Sequence, residues 1–78
     1  MDLNRIKEVV AEQLGVEAEE LKPEVSLKGD LNADSLDLFQ IIMSLEEEFN
    51  IEIPTEDTES IRTIGDIEHY ISKRKANM

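Results

Sequence analysis

The sequence predicts an all-α protein, a four-helix bundle of three main helices and one short helix. Three segments place apolar residues at helical spacing, and no pair of segments alternates as two pairing strands would. The 78 residues suffice for one hydrophobic core but not for two, so residues 1–78 are expected to form a single domain. A long loop is predicted between the first and second helices.

The first helix is predicted over about residues 2–14. Its apolar face is formed by Leu3, Ile6, Val10 and Leu14. Asp2 is suited to cap its N-terminus, and Gly15 is suited to the left-handed conformation that ends many helices.

The segment between residues 16 and 33 has no sustained periodicity and contains Pro23 and Gly29. Four apolar residues are spaced irregularly along it: Leu21, Val25, Leu27 and Leu31. We therefore expect a long loop that those side chains pin to the core. A loop of this length in so small a domain usually has a function or contains short helical turns.

The second helix is predicted to begin at Asp34–Ser35 and to run to about Phe49. Pro54 disfavours helix in the residue before it, so the helix is expected to end ahead of residues 51–54.

Two further helices are predicted after this break. Thr55 is expected to cap a short helix that reaches about Ser60. The last main helix is predicted from about Ile64 to Lys75. Its buried face is formed by Ile64, Ile67 and Ile71. Its last turn carries the bases Lys73, Arg74 and Lys75, whose charge interacts favourably with the helix dipole.

The second helix has more apolar residues than one buried face requires. On a helical wheel, one face is formed by Leu38, Ile41, Ile42, Leu45 and Phe49. A second stripe is formed by Leu36, Phe39 and Met43. Either the helix is central and buried almost all round, or the second stripe is exposed for a partner.

The polar residues beside this stripe favour exposure. They are Asp37, Gln40, Glu46 and Glu47. Unpaired carboxylates are rarely fully buried, so this side of the helix is expected to reach water. These four residues and the three of the second stripe are named here the docking surface, because apolar anchors inside a charged rim are typical of a protein–protein interface.

The charge of the chain is strongly acidic, with nineteen acids, eight bases and a net charge of −11. Between Gly29 and Ile61 there are ten acids and no base. Such a chain repels nucleic acid and anionic membranes, so neither is expected as a direct partner. The acidity either attracts basic patches on other proteins or serves solubility alone.

Several kinds of site and location are excluded or disfavoured. The sequence has no Cys, which excludes disulfides and thiolate metal sites. No targeting segment and no stretch long enough to span a bilayer is evident, so a cytoplasmic protein is expected. The acids of residues 30–34 imitate the start of a calcium loop. Ser35 and Ile41, however, stand where that loop needs Gly and Glu, and no metal site is predicted.

Ser35 stands at the predicted start of the second helix, directly after the candidate N-cap Asp34. An anion attached to its hydroxyl is stabilised by the positive end of the helix dipole, although a serine at this position also simply helps to start a helix. A hydrolase nucleophile needs a base within reach, and His69, the single histidine, is predicted to lie on the surface of the last helix. No catalytic residue is therefore predicted, and the protein is not expected to be an enzyme.

The residues around Ser35 resemble the acyl carrier proteins. The likeness begins with Asp30-Leu31 and Asp34-Ser35-Leu36-Asp37 and continues through Met43, Leu45-Glu46-Glu47-Glu48-Phe49, Ile51-Glu52-Ile53-Pro54, Ile64-Gly65-Asp66 and Tyr70-Ile71. It also includes Glu12-Gln13-Leu14-Gly15-Val16 in the first helix. The resemblance therefore covers nearly the whole chain.

The resemblance implies that Ser35 carries a covalent 4′-phosphopantetheine, transferred from coenzyme A by a separate phosphopantetheinyl transferase, with Asp34 and Leu36 flanking the attachment site. The arm supplies a thiol on which acyl chains travel as thioesters. It also implies that the docking surface binds basic patches on fatty-acid synthesis enzymes through Asp37, Phe39, Gln40, Met43, Glu46 and Glu47. A freestanding monomeric carrier of fatty-acid synthesis is expected.

Three residues depart from the common family pattern. Asn32 replaces a Gly, and Asn tolerates left-handed backbone geometry. Phe39 and Gln40 replace Val and Glu, which bears on the choice of partner enzymes. Two alternatives remain open: a specialised carrier for polyketide, aminoacyl or other acyl groups, and an acidic interaction module without a prosthetic group.

Overall fold

The computed structural model describes residues 3–76, and the side chains of residues 4–75. Its elements are α1 (Leu3–Leu14), a 3₁₀ turn (Ala18–Glu20), α2 (Ser35–Phe49), α3 (Thr55–Thr58) and α4 (Ile64–Ala76). The predicted fold class, three main helices and one short helix with a long loop between the first two, is confirmed. Asp2, predicted to cap the first helix, lies outside the described residues.

The helix ends follow local sequence signals. Gly15 has a φ of 70°, and its N–H donates to the carbonyl of Ala11, which ends α1 as predicted. Asn50 has a φ of 54° and ends α2 in the same left-handed conformation. Lys75 of α4 donates from Nζ to the carbonyl of Phe49 at 2.9 Å, which places a cation at the C-terminal end of α2.

The short helix differs from the prediction in one respect. Thr55 was expected to cap it, but Thr55 is its first helical residue and Pro54 is the N-cap. Pro54 is extended, with ψ at 149°, and its carbonyl already accepts the N–H of Asp57. The helix also ends at Thr58, earlier than the predicted Ser60. Proline is compatible with this junction because its missing N–H would have no intrahelical partner there.

The hydrophobic core is aliphatic and lies between α1, α2, α4 and the loop. The core side chains with less than 2 % exposure are Ile6, Val10, Leu21, Leu27, Ile41, Leu45, Ile64, Ile67 and Ile71. They include residues from the predicted inner faces of all three main helices, whereas Leu14 and Leu38 of those faces are partly buried and the side chain of Leu3 lies outside the described side chains. The loop anchors also contact the core, with Leu21 and Leu27 buried and Val25 and Leu31 packed against it.

The end of the long loop pairs with the segment before α4. Ser26 and Thr63 form an isolated antiparallel bridge, and the N–H of Leu27 donates to the carbonyl of Arg62 at 2.9 Å. Close by, Gly65 approaches Pro23 so tightly that a Cβ at Gly65 would lie 3.0 Å from the Pro23 carbonyl oxygen. These contacts hold the loop beside the N-terminus of α4.

Candidate functional site

The N-terminus of α2 is closed by two reciprocal hydrogen bonds. Asp34 Oδ1 accepts the N–H of Asp37 at 2.9 Å, and Asp37 Oδ2 accepts the N–H of Asp34 at 3.2 Å. The prediction that Asp34 caps this helix is therefore confirmed. Ser35 is the first helical residue, at the positive end of the helix dipole.

The chain reaches Ser35 through a rigidly hydrogen-bonded turn. Asn32 has a φ of 55°, the left-handed conformation anticipated for it. The next residue, Ala33, is buried, and its N–H donates to the carbonyl of Leu27 at 2.9 Å. Earlier in the turn, Asp30 Oδ2 accepts the N–H of Ser26 at 2.8 Å. The backbone geometry thus fixes where Ser35 stands.

The Ser35 side chain is exposed, and its hydroxyl makes no hydrogen bond to any residue that the structure describes. His69 is also exposed, on α4, and does not line the groove that contains Ser35. The hydroxyl is therefore accessible to a modifying enzyme, and the groove offers it no imidazole base.

Ser35 lies on an open groove of about 710 Å³, named here the Ser35 groove. Its apolar lining is formed by Leu27, Leu38, Phe39, Ile42, Met43, Ile53 and Ile61. The remaining lining is polar and comes from Ser26, Lys28, Glu46, Thr55, Thr58, Glu59 and Arg62. The groove therefore places the exposed Ser35 hydroxyl next to an apolar wall.

The second apolar stripe of α2 is exposed, as predicted. Leu36, Phe39 and Met43 are 63 %, 62 % and 48 % exposed, whereas Ile41, Ile42, Leu45 and Phe49 on the other side are buried. Leu38 is half-buried and packs against the core. One side of α2 is therefore buried in the core, and another side still presents three large apolar side chains to solvent.

The polar rim of the docking surface divides into two groups. Gln40 and Glu47 are exposed. Asp37 and Glu46 are half-buried, and their carboxylates are engaged inside the chain: Asp37 in the α2 cap, and Glu46 Oε2 with the N–H of Ile53 at 2.9 Å. The two engaged carboxylates still contribute charge to the rim but are less free to reorient toward a partner.

Gln40 connects the rim to the first helix. Its amide oxygen accepts a hydrogen bond from the amide nitrogen of Gln13 on α1. A second link between the same helices is the ion pair of Arg5 with Glu48 at 2.9 Å. The hydrogen bond from Arg5 holds the pKa of Glu48 below its usual range. These contacts fix the side of α2 that carries the exposed stripe.

Sequence reasoning missed the groove and the residues on its far wall. Lys28 and Arg62 stand 34 positions apart in the chain, yet both line the groove with Ser35. The available signal was that these two bases flank the base-free acidic segment. It also missed the contact in which the Tyr70 hydroxyl donates to Asp57 Oδ2 at 2.6 Å. Burial, followed by this hydrogen bond, raises the pKa of Tyr70.

Metal-binding clusters and membrane-spanning helices are both absent from the described residues. Among residues 3–76 no group of three or more His, Cys, Asp or Glu side chains could hold a metal ion. In that same part of the chain, no helix has both the length and the apolar character needed to cross a membrane.

The chain matches a family model described as a phosphopantetheine attachment site over residues 4–71. A relative from Syntrophobacter fumaroxidans named acyl carrier protein is 51 % identical over 72 residues, covering 92 % of this chain and 89 % of its own length. One of the same name from Wolinella succinogenes is 56 % identical over 70 residues, covering 90 % and 92 %.

Two solved structures are also similar to this chain. A candidate acyl carrier protein from Mycobacterium tuberculosis is similar with a TM-score of 0.84 and 32 % identity, covering 91 % of this chain and 96 % of its own. The acyl carrier protein from Enterococcus faecalis is similar with a TM-score of 0.78 and 34 % identity, covering 91 % and 90 %.

Proposed function

The chain belongs to the acyl carrier protein family, and from this premise we propose that Ser35 is the residue to which its 4′-phosphopantetheine is attached. The protein is a carrier and not an enzyme. It carries growing fatty acyl chains as thioesters and delivers them to separate fatty-acid synthesis enzymes. Residues 1–78 form the carrier domain.

The residues at Ser35 fit the prosthetic group. The hydroxyl is exposed and free of intramolecular hydrogen bonds within the described residues, so a transferase can reach it. A phosphodiester on that oxygen is an anion at the N-terminus of a capped fifteen-residue helix, where the dipole and the first backbone N–H groups favour it. When bound, the arm supplies the thiol that this chain without Cys lacks.

The flanking residues have different roles toward that group. Asp34 holds the helix start in place through its side chain, and the rigid turn before it fixes the direction in which Ser35 points. Leu36 is 63 % exposed directly beside Ser35 and presents an apolar contact to an enzyme that approaches the arm. Neither residue supplies chemistry to the attachment itself.

The Ser35 groove suits the apolar part of a carried chain. Its wall is formed largely by aliphatic side chains, including Ile42, Ile53 and Ile61. Burial of each methylene of an acyl chain against such a wall contributes about 0.8 kcal/mol. Acyl chains that lie there are protected from water between visits to the enzymes.

The docking surface suits partners with basic patches. Phe39 and Met43 are exposed apolar anchors, and the exposed Glu47 and the engaged Asp37 and Glu46 supply negative charge around them. An acidic rim accelerates encounter with a basic partner and orients it. The partners in this proposal are the phosphopantetheinyl transferase and fatty-acid synthesis enzymes.

The carrier acts as a monomer in the cytoplasm in this proposal. A net charge of −11 on 78 residues makes copies of the chain repel one another. The transferase and coenzyme A must also reach Ser35. A cytoplasmic location gives the carrier access to this enzyme and to its coenzyme A.

The observation that carries the attachment site is the exposed, unbonded Ser35 hydroxyl at the capped start of α2. The apo protein is incubated with coenzyme A and a phosphopantetheinyl transferase, and its intact mass is measured. We expect one phosphopantetheine on the wild type and on Ser44→Ala, a serine control on the same helix, and none on Ser35→Ala. Addition to Ser35→Ala would contradict the assignment. No addition to the wild type would instead favour an acidic interaction module.

A further inference from the structure

Lys28 and Arg62 are the two bases that line the Ser35 groove. They stand at the two ends of the acidic segment in which no base occurs, so the groove takes all its positive side-chain charge from these two positions. The rest of the chain is strongly acidic, with a net charge of −11. The groove therefore carries two positive side chains within a molecule that is strongly acidic as a whole.

The fold holds these two residues next to each other. Ser26 forms a bridge with Thr63, and the N–H of Leu27, the residue before Lys28, donates to the carbonyl of Arg62. A third hydrogen bond, from Ile64 N–H to the Val25 carbonyl at 3.0 Å, continues the pairing. The backbone positions of the two bases are thus fixed in relation to the groove.

Neither side chain is held by a hydrogen bond or an ion pair within the described chain, although the charge of Arg62 also acts on Asp66. Lys28 and Arg62 are exposed, and neither side chain makes a hydrogen bond or an ion pair with a residue in that part of the protein. Arg5, by contrast, forms ion pairs with Glu8 and Glu48. The two groove cations are therefore available to an anion that arrives from outside the chain.

Two carboxylates, Glu46 and Glu59, also line the groove. Glu46 lies eleven residues farther along α2, about 16 Å by helical rise, and its Oε2 accepts the N–H of Ile53. Glu59 is exposed near Arg62 but forms no ion pair with it. Glu46 is therefore remote from an anion attached at Ser35.

Resting on the proposed attachment at Ser35, we infer that Lys28 and Arg62 form a cationic lip that binds the phosphodiester of the arm and holds the idle arm along the groove. A phosphodiester carries one negative charge, which the acidic molecule as a whole repels and which these two cations attract. Both cations are exposed, so the attraction is screened by salt over about 8–10 Å. The retained arm is therefore held reversibly.

The test uses the phosphopantetheinylated protein without an acyl group, so that the phosphodiester is the anion under study. Nuclear Overhauser contacts are measured between the methyl groups of the arm and the groove side chains. The double variant Lys28→Gln/Arg62→Gln is compared with Lys22→Gln/Lys73→Gln, which removes two positive charges from exposed positions that do not line the groove. Intact mass confirms loading of each protein.

We expect the contacts in the wild type and in the Lys22/Lys73 control, their loss in the Lys28/Arg62 variant, and their weakening when sodium chloride is added to the wild type. Contacts that persist in the Lys28/Arg62 variant, or that vanish equally in the control, would overturn the inference. Failure of the wild type to gain the arm would overturn the proposed function and this inference together. Loading without groove contacts would overturn this inference alone.

Discussion

Asp34 and Asp37 accept hydrogen bonds from each other's backbone N–H groups, at 2.9 and 3.2 Å, immediately around the residue that we propose as the attachment site. The pair satisfies two backbone donors that would otherwise lack partners at the start of α2. It also fixes the orientation of Ser35, which stands between them in the chain. The stability of the start of α2 and the position of Ser35 therefore depend on the same contacts.

Replacement of the cap residue tests this dependence. Asp34→Ala is expected to lower the free energy of unfolding by about 0.5–2 kcal/mol, because the Asp37 N–H loses its side-chain acceptor. Asp34→Asn keeps an acceptor at the same place and is the matched control. Urea denaturation followed by circular dichroism measures both. Equal stability of the two variants would show that the cap does not stabilise the helix.

The left-handed Asn32 predicts an unusual order of substitution effects. Asn32 has a φ of 55°. Asn32→Ala is expected to lower the free energy of unfolding by about 1–2 kcal/mol, because a side chain without a compensating polar group is strained in that conformation. Asn32→Gly is expected to preserve or slightly raise stability, since Gly adopts positive φ without strain. Thermal unfolding of the three proteins decides the order. If the Ala variant were more stable than the Gly variant, the left-handed conformation of Asn32 would be contradicted.

Asp66 predicts a defined pH dependence. Its Oδ2 accepts the backbone N–H groups of Arg62 and Thr63, at 3.0 and 3.1 Å, and these bonds, led by that from Arg62, lower the pKa of Asp66. A depressed pKa in the folded state means that the ionised carboxylate stabilises the fold above its unfolded pKa of about 3.9. This contribution is lost as pH falls through the lower folded value.

The measurement is the difference in free energy of unfolding between the wild type and Asp66→Asn from about pH 2 to pH 7. We expect the wild type to be more stable at neutral pH and the difference to shrink below about pH 4. Comparison with the Asn variant cancels the titration of the other carboxylates. A difference that stays constant across this range would show that Asp66 ionisation does not contribute.

The docking surface predicts that charge reversal impairs partner binding without unfolding the helix. Glu47→Lys is expected to reduce the association rate with a basic fatty-acid synthesis enzyme severalfold, because rim charges act mainly on encounter. Phe39→Lys is expected to weaken binding as well and to leave helix content unchanged, since Phe39 is 62 % exposed.

Glu20→Lys, an exposed residue of the 3₁₀ turn, makes the same charge change away from α2 and is the control. Surface plasmon resonance measures the rates, and circular dichroism measures the helix content. Equal association rates for Glu20→Lys and Glu47→Lys would attribute the effect to net charge rather than to this surface.

The excess of negative charge predicts that salt stabilises the fold. In the part of the chain that the structure describes, the ion pairs are those of Arg5 with Glu8 and Glu48, so most carboxylates have no positive partner. Screening of their repulsion by sodium chloride is expected to raise the melting temperature. The variant Glu52→Gln/Glu56→Gln/Glu59→Gln should respond less. Calorimetry that shows no rise in the wild type would contradict the prediction.

The sequence by itself determined the local features of the protein. Helix positions followed from apolar spacing, the α2 cap from Asp34, the left-handed end of α1 from Gly15, and the exposed stripe from the acids beside Phe39. Each of these depends on residues within about one helical turn of one another, so a single chain pattern contains the required information. The prediction of Thr55 as the N-cap of the short helix was wrong. Whether Pro54 or Thr55 is the N-cap depends on the backbone conformation at that single junction.

Only the tertiary structure decided how distant segments meet. The N–H of Leu27 donates to the carbonyl of Arg62, which joins two distant segments, and Lys28 and Arg62 from these segments both line the Ser35 groove. The tertiary structure also decided the partner of Glu46. The sequence places this carboxylate in the rim of the docking surface, and in the fold it accepts the N–H of Ile53. These contacts join residues 7 to 35 positions apart. Which of many possible pairs form is fixed by the packing of the whole core rather than by any local pattern.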